Sequence, residues 1–382
     1  MRILINDFAG HPFPLQLGRS LASRGHDILQ TYFAANNCPK GAVVPVSSDP
    51  ASFAIQGLTI PFQFEKHKLR TRRSADIAYG REVAAKVASY RPDIVLSANM
   101  PLDAQAILME ETKRLGVRFV FWLQDVYSEA VRFVLSQRRI PFASMAAAYY
   151  RRLEKQLLQR SDGIVCISPD FRDILNSWGL PMEKIRVIEN WAPLAEMPQR
   201  PRQNAWSREN GLDGKFVFLY SGTLGKKHIP EMLLELAKRF EDDNKVALVV
   251  IAEGAGADWL RTRLSEVRPG ALRMMGFQPY DRVPEALATA DALIVLLDPD
   301  CGRFAVPSKA LTYLCAGRPI LASAPVENLT SNIIERSGAG LAVPAGDVAQ
   351  FVCAAERLLS DEGFRDKCSR NARAYAEHSF DV

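Results

Sequence analysis

Residues 218–240, FLYSGTLGKKHIPEMLLELAKRF, pass from an apolar run through a glycine-bracketed turn into a stretch with Met232, Leu233, Leu236 and Phe240 at helical spacing. Apolar side chains at nearly every position from Phe216 to Tyr220 suit a strand buried on both faces, and such strands belong to parallel sheets covered by helices. Strand, turn and helix in that order make half of a βαβ unit. The turn carries chemistry too. Gly222 and Gly225 let backbone amides approach an anion, and Thr223, Lys226 and Lys227 surround them beside a helix N-terminus. A diphosphate is held in this way; an ordinary turn with two solvated lysines is the structural alternative.

The same alternation extends in both directions. RILIN, DILQTYF, DIVLS, VRFVFWL, GIVCIS and IRVIE precede it, and VALVVIA, ALRMM, ALIVLL, PILAS and GLAV follow, with helix-length segments between most of them. The expected class is α/β, with two doubly wound Rossmann-like domains facing a cleft. Residues 190–206, NWAPLAEMPQRPRQNAW, hold Pro193, Pro198 and Pro201 and no apolar period, and read as an interdomain linker. The domains then span 1–189 and 207–382. No GxGxxG follows RILIN, and no GxxxxGK[ST] occurs, which argues against a nicotinamide dehydrogenase and a P-loop NTPase.

The 382 residues are 48% hydrophobic and 24% charged, as in a folded chain of two domains. No run has the 18 uninterrupted apolar residues of a membrane span, and Met1 leads directly into a strand-like segment, so a cytoplasmic location is expected. The six cysteines include no CxxC pair, which points away from disulfides and from a zinc site. Residues 1–200 hold 26 Lys and Arg against 19 Asp and Glu, a charge of +7, and the remainder holds 22 against 24, a charge of −2. The first half is therefore the one to face an anionic partner.

Further stretches carry chemistry. In VPSKALTYLCAGRPILAS, residues 306–323, Pro307 and Ser308 open a helix that Gly317 and Pro319 end, and Lys309 lies in its first turn. A cation there opposes the helix dipole unless an anion shares the site. Glu253 closes the strand of VVIAEGAGADWL, and Gly276 and Phe277 end another, where backbone groups can read a base edge. In VRFVFWLQDVYSEAV, residues 117–131, Asp125 follows a central strand, which suits a catalytic carboxylate or a helix N-cap. His11 is placed in the first loop to face the same cleft. Lys66 to Arg73 contains five cations, and Phe142, Met145, Tyr149 and Tyr150 lie between arginine pairs. Arg72, Arg73, Arg151 and Arg152 thus suit an anionic membrane face, with a solvated positive surface as the alternative. No nucleic-acid reading motif is present.

The ordered set YSGTLGKKH, AEGAG, MGFQPYDRVPEALATADALIVLL, VPSKALTYLCAGRPILAS and RNARAYAEHSF resembles the retaining glycosyltransferases of family four, of GT-B fold. GRSLASRGHDI, RPDIVLSANMP, WLQDVYSEAV, SDGIVCIS and VIENWAP extend the likeness over the first half, closest to the colanic-acid and O-antigen transferases of bacterial surface polysaccharide synthesis. The resemblance implies a UDP- or GDP-linked sugar donor as substrate, no other cofactor and no metal. It also implies a polyprenyl-diphosphate-linked glycan acceptor and a peripheral place at the inner face of the plasma membrane. Gly222, Thr223, Lys226, Lys227, Ser308 and Lys309 then hold the diphosphate and sugar, Phe277 and Gln278 flank the base, and Asp125 matches the residue nearest the transferred sugar. Thr312 stands where the family commonly has a ribose-binding glutamate, and Phe304 where it has another; the first loop lacks the usual glycine pair. A sugar-nucleotide epimerase and a non-catalytic donor-binding partner are the rival readings.

Overall fold

The computed structural model describes residues 1–36, 40–62, 69–137, 143–225, 228–301 and 306–380. It divides into two compact units between Asn190 and Trp191. The first holds β1 (Arg2–Asp7), α1 (Pro12–Ser23), β2 (Asp27–Phe33), β3 (Phe53–Leu58), α2 (Leu69–Tyr90), β4 (Ile94–Ala98) and α3 (Leu102–Arg114). It continues with β5 (Arg118–Leu123), α4 (Tyr127–Gln137), α5 (Ala143–Arg160), β6 (Gly163–Cys166), α6 (Pro169–Ser177) and β7 (Ile185–Val187). All its strands pair in parallel, in the order β3-β2-β1-β4-β5-β6-β7.

The second unit holds α7 (Ala205–Glu209), β8 (Phe216–Ser221), α8 (Glu231–Phe240), β9 (Val246–Ile251), α9 (Ala255–Arg261), β10 (Leu272–Met275) and α10 (Val283–Ala288). After them come β11 (Ala292–Leu296), α11 (Lys309–Ala316), β12 (Ile320–Ser323), α12 (Leu329–Ser337), β13 (Gly340–Val343), α13 (Val348–Ser360) and α14 (Glu362–Ser379). Its parallel order is β10-β9-β8-β11-β12-β13. Both sheets are doubly wound, as the alternation of runs predicts. β9 is buried at all six positions, and each fully buried Val, Leu or Ile side chain contributes about 1.5–3 kcal/mol. Met232, Leu233, Leu236 and Phe240 of α8 pack in the same core, so its helical spacing is the face that docks on the sheet.

Two readings differ from the structure. β3 escapes the pattern of apolar runs because it is an edge strand with exposed Ala54, Gln56 and Gly57. Gly57 lies under the end of the Tyr32 side chain of β2, whose hydroxyl would be 2.8 Å from a Cβ there and would have to shift. The stretch expected as a linker is not a free spacer. Ala192, Met197 and Trp206 are buried in the core of the second unit, and α7 begins within it on an Asn204–Ser207 capping box.

In each sheet the chain winds outward and then returns to the other side of its first strand. β1 and β4 flank this reversal in the first unit, β8 and β11 in the second. Loops leaving the carboxyl ends of such neighbours diverge to opposite faces, and the crevice they leave is where ligands of this fold bind.

Candidate functional site

In the second unit, Gly222 leaves β8 with φ +125°, a conformation that side-chain-bearing residues rarely adopt. A Cβ at Gly222 would lie 3.4 Å from Lys309 Cε and 3.5 Å from its Nζ, so the lysine rests against the turn. Its ammonium lies 3.5 Å from the Thr223 carbonyl and 3.7 Å above the Tyr220 ring, and it donates to the Tyr220 hydroxyl. Tyr220 in turn donates to the Thr223 carbonyl at 2.8 Å. The lysine at the start of α11 is therefore held by the face and hydroxyl of a buried tyrosine, which offsets its unfavourable place on the helix dipole.

The neighbouring loops close on the same turn. Leu224 N–H donates to the Glu253 carbonyl at 2.9 Å, and Gly256 N–H donates to the Leu224 carbonyl at 2.8 Å. Gly254 has φ +115°, and a Cβ there would meet the Leu224 carbonyl oxygen at 2.9 Å. The Glu253 carboxylate lies 3.4 Å from Arg261, and one of its oxygens 3.2 Å from the Cβ position of Gly276. The structure thus gathers Gly222, Thr223, Glu253, Gly276 and Lys309 at the carboxyl ends of β8, β9 and β10.

The other donor-side candidates have distinct surroundings. Gln278 turns its side chain inward, accepting from Trp206 Nε1 at 2.9 Å and donating to the Gly276 carbonyl at 3.0 Å. Phe277 next to it is half-buried. Ser308 precedes α11 in helical conformation and its hydroxyl makes no capping bond, contrary to its reading as an initiator; backbone bonds to Pro307 and Ser308 carbonyls close the first turn instead. Thr312 is half-buried, three residues along α11 from Lys309. Lys226, Lys227 and Phe304 lie outside the described residues.

In the first unit the switch point is built on a buried carboxylate. Asp7 ends β1 fully shielded from solvent; it accepts the His11 backbone N–H, approaches the His11 ring nitrogen at 3.3–3.4 Å, and accepts from Asn99 Nδ2 at 2.7 Å. Asn99 follows β4 with φ +54° and also meets His11 Nδ1 at 3.2 Å. Burial pulls the His11 pKa down, but the Asp7 charge and hydrogen bond, helped by Asp125, outweigh it and leave the value raised from 6.5. Asp125 is thus close enough to His11 for its charge to be felt there.

The first amides of α4 have a partner on another helix. Buried Glu154 of α5 accepts the Tyr127 and Ser128 amides at 2.8 and 2.9 Å. Burial pushes this carboxyl up to about 7 against those two bonds. Gln124, just before Asp125, forms a reciprocal amide pair with Asn190 at 2.6 and 3.3 Å, both side chains buried.

The four cations expected to face a membrane divide. Arg73 binds Asp103 at 3.1 Å, and Arg72 lies 4.0 Å from Asp76, so both are turned onto carboxylates of their own unit. Arg151 and Arg152 are exposed, the former 5.6 Å from the centre of the Trp178 ring. No helix among the described residues is long and apolar enough to cross a membrane.

Asp7, Asn99, Gln124, Asn190 and Tyr220 were not singled out in sequence. Asp7 carries the same signal as Asp125, a carboxylate closing an apolar strand. Tyr220 carries none, since an aromatic inside such a strand reads as core.

Two Rossmann-like units with polar groups gathered at both switch points make the architecture of the GT-B glycosyltransferases. The comparisons agree. Residues 202–375 match the family described as Glycosyl transferases group 1, and residues 14–196 match Glycosyltransferase Family 4. WbjE of Pseudomonas aeruginosa, named a probable glycosyltransferase, is 27% identical over 285 residues, covering 74% of this chain and 70% of that one. WcaI of Escherichia coli (strain K12), provisionally named a colanic acid biosynthesis glycosyl transferase, is 24% identical over 303 residues, covering 76% and 71%. The solved structure of Anabaena HepE in complex with UDP-glucose has a TM-score of 0.72 at 16% identity, over 100% of this chain and 96% of that one. The chain belongs to the glycosyltransferases that pair these two domains, and it is an enzyme of that kind.

Proposed function

We propose that the chain moves a sugar from a UDP- or GDP-linked donor, held by the second unit, to a hydroxyl of a polyprenyl-diphosphate-linked glycan held by the first. The transfer retains the anomeric configuration, needs no metal, and serves a bacterial surface polysaccharide. The convergence of Lys309 on the Gly222–Thr223 turn carries this reading. An ammonium fixed beside backbone amides and a helix start offsets the charge that develops on a departing diphosphate. Lys226 and Lys227, outside the described residues, follow that turn in sequence and would add two further cations for the donor's charge. Glu253 accepts from sugar or ribose hydroxyls, Phe277 and Gln278 offer backbone groups to the base, and Ser308 and Thr312 each supply a hydroxyl; Thr312 takes one ribose bond where a carboxylate would take two.

On the first unit, Asp125 acts as the proton acceptor for the acceptor's hydroxyl or as a positive-charge stabiliser, and His11, whose pKa Asp7 raises against the effect of burial, stands beside it. The names of WcaI and of the HepE complex support the polysaccharide and nucleotide-sugar parts of the reading. Exposed Met145 with Arg151 and Arg152 supports a peripheral contact at the cytoplasmic membrane face; Arg72 and Arg73 are already paired. Turnover of labelled UDP- and GDP-sugars by the purified chain tests the whole. Asp125→Asn and Lys309→Ala each lower it about 100-fold or more, with or without a chelator. Turnover within about threefold of wild type, or release of an epimer from donor alone, contradicts the reading.

A further inference from the structure

Residues 124–126 join the end of β5 to the start of α4, and Asp125 is the middle one. Val126 after it is fully buried and carries no acceptor for the first amides of α4, where Ser, Thr, Asp or Asn ordinarily caps a helix from within. The acceptor comes from α5 instead. The two Glu154 oxygens take the Tyr127 and Ser128 N–H groups separately, at 2.8 and 2.9 Å. On the other side of Asp125, the Gln124 and Asn190 amides bond reciprocally at 2.6 and 3.3 Å. The turn is therefore tied at both ends to groups 26 to 66 residues away in sequence.

Glu154 is completely shielded from solvent. Burying a carboxylate is costly, and a hydroxyl or amide side chain within the turn would satisfy the same amides without that cost. What the carboxylate adds is geometry: two acceptors at a fixed spacing, on a helix seated in the core through Leu157 and Leu158. Tyr150, one turn before Glu154 on α5, meets the Tyr127 ring edge to face, with centroids 6.2 Å apart. Its hydroxyl is held in turn by Asp103 at 2.8 Å. The start of α4 is thus fixed to α5 by two charge-assisted bonds and by a ring contact. Asp125, two residues before that start, is kept where its charge is felt at His11.

We propose that Glu154 is a positioning residue for Asp125, with Asn190 as its counterpart on the other side of the turn. Neither exchanges a proton with substrate; together they hold the carboxylate that acts there. A group displaced by about 1 Å from its working place loses up to about 100-fold in rate. Glutamine at position 154 keeps the size of the side chain but presents an NH2 to one of the two N–H groups, so one bond becomes a contact between donors. The start of α4 must then move, and the Asp125 turn moves with it.

This inference rests on the reading of Asp125 as proton acceptor or charge stabiliser and adds the residues that place it. The test is steady-state turnover of labelled UDP- and GDP-sugars by the full chain at about pH 8.5, above the Glu154 pKa of about 7, so that its carboxylate is ionised. Glu154→Gln lowers kcat about tenfold or more and leaves the donor KM within about twofold of wild type. In an Asp125→Asn background the same change lowers kcat less than about twofold, because its effect passes through a carboxylate already removed. An equal loss in both backgrounds marks a merely structural role and overturns the proposal. So does a kcat within about twofold of wild type, or a risen KM in place of the fallen kcat. Circular dichroism checks the fold. Where Glu154→Gln is unfolded, Asn190→Ala takes its place with the same expectations, and the exchanged pair Gln124→Asn with Asn190→Gln recovers part of kcat. Asp125→Asn alone separates the two levels: if it turns over within about threefold of wild type, the parent reading fails. If it is impaired while Glu154→Gln is fully active, only this inference fails.

Discussion

Replacing Asp76 by asparagine stabilises the first unit at neutral pH and leaves it unchanged in acid. Burial, with Asp103 nearby and Arg72 only partly compensating, raises the Asp76 pKa from 3.8 to about 6. The folded state therefore binds the proton more tightly than the unfolded chain does. The stability from that proton is complete below pH 3.8 and is lost as pH rises through about 6. A shift of about two units corresponds to about 3 kcal/mol at pH 7. Asparagine has nearly the same shape and no charge, so it removes this penalty, in which the Arg72 attraction is already set against burial. The gain is about 3 kcal/mol, or about 6–12 °C in Tm for a unit of this size. Urea unfolding at pH 4, 5.5 and 7.5 measures it: the difference between variant and wild type opens with pH. A less stable variant at pH 7.5, or a difference independent of pH, refutes the reasoning.

Asp125→Asn removes a negative charge that helps hold His11 in its charged form; a proton-NMR titration of the His11 ring then gives a lower pKa than wild type, and an unchanged value contradicts their closeness. Tyr220→Phe keeps the ring under Lys309 but deletes its hydroxyl, so the donor KM rises about two- to tenfold in steady-state assays and, with the Thr223 carbonyl losing its donor, stability falls by about 1–3 kcal/mol. Asn190→Ala leaves the buried Gln124 amide without its partner, costing about 1–3 kcal/mol in urea unfolding; the exchanged pair Gln124→Asn with Asn190→Gln recovers part of it, and no recovery refutes the pairing.

The fold is legible wherever both faces of a strand are buried. β5, β8, β9 and β11 are nearly uniform apolar runs, and a parallel sheet between helices is the arrangement that hides them. β3 is not, because an edge strand with exposed Ala54, Gln56 and Gly57 has neither a continuous apolar run nor clean alternation. The donor side of the site is legible through Gly222 and Lys309, since a glycine turn before a helix and a lysine at a helix start are local signals. Their support is not: Tyr220 lies 89 residues from Lys309, and nothing in its own strand marks it as a partner. Charge shows the same limit. Arg72 and Arg73 count as a basic patch in sequence, but Asp103 lies 30 residues beyond Arg73 and only the crossing of α2 and α3 brings the two together. Asp7 was within reach, by the rule that singled out Asp125.

The central claim is that the Gly222 turn and Lys309 hold the diphosphate of a nucleotide sugar. Thermal unfolding of wild type and Lys309→Ala with UDP- and GDP-linked sugars tests it most directly. Binding to the folded state raises the melting temperature by mass action. At an effective dielectric constant of about 20, an ammonium about 4 Å from a phosphate charge contributes about 4 kcal/mol before the desolvation of both groups is subtracted. At least one donor raises the melting temperature of wild type, and the shift is largely lost in Lys309→Ala. An equal shift in both proteins, or none with any donor, contradicts the account.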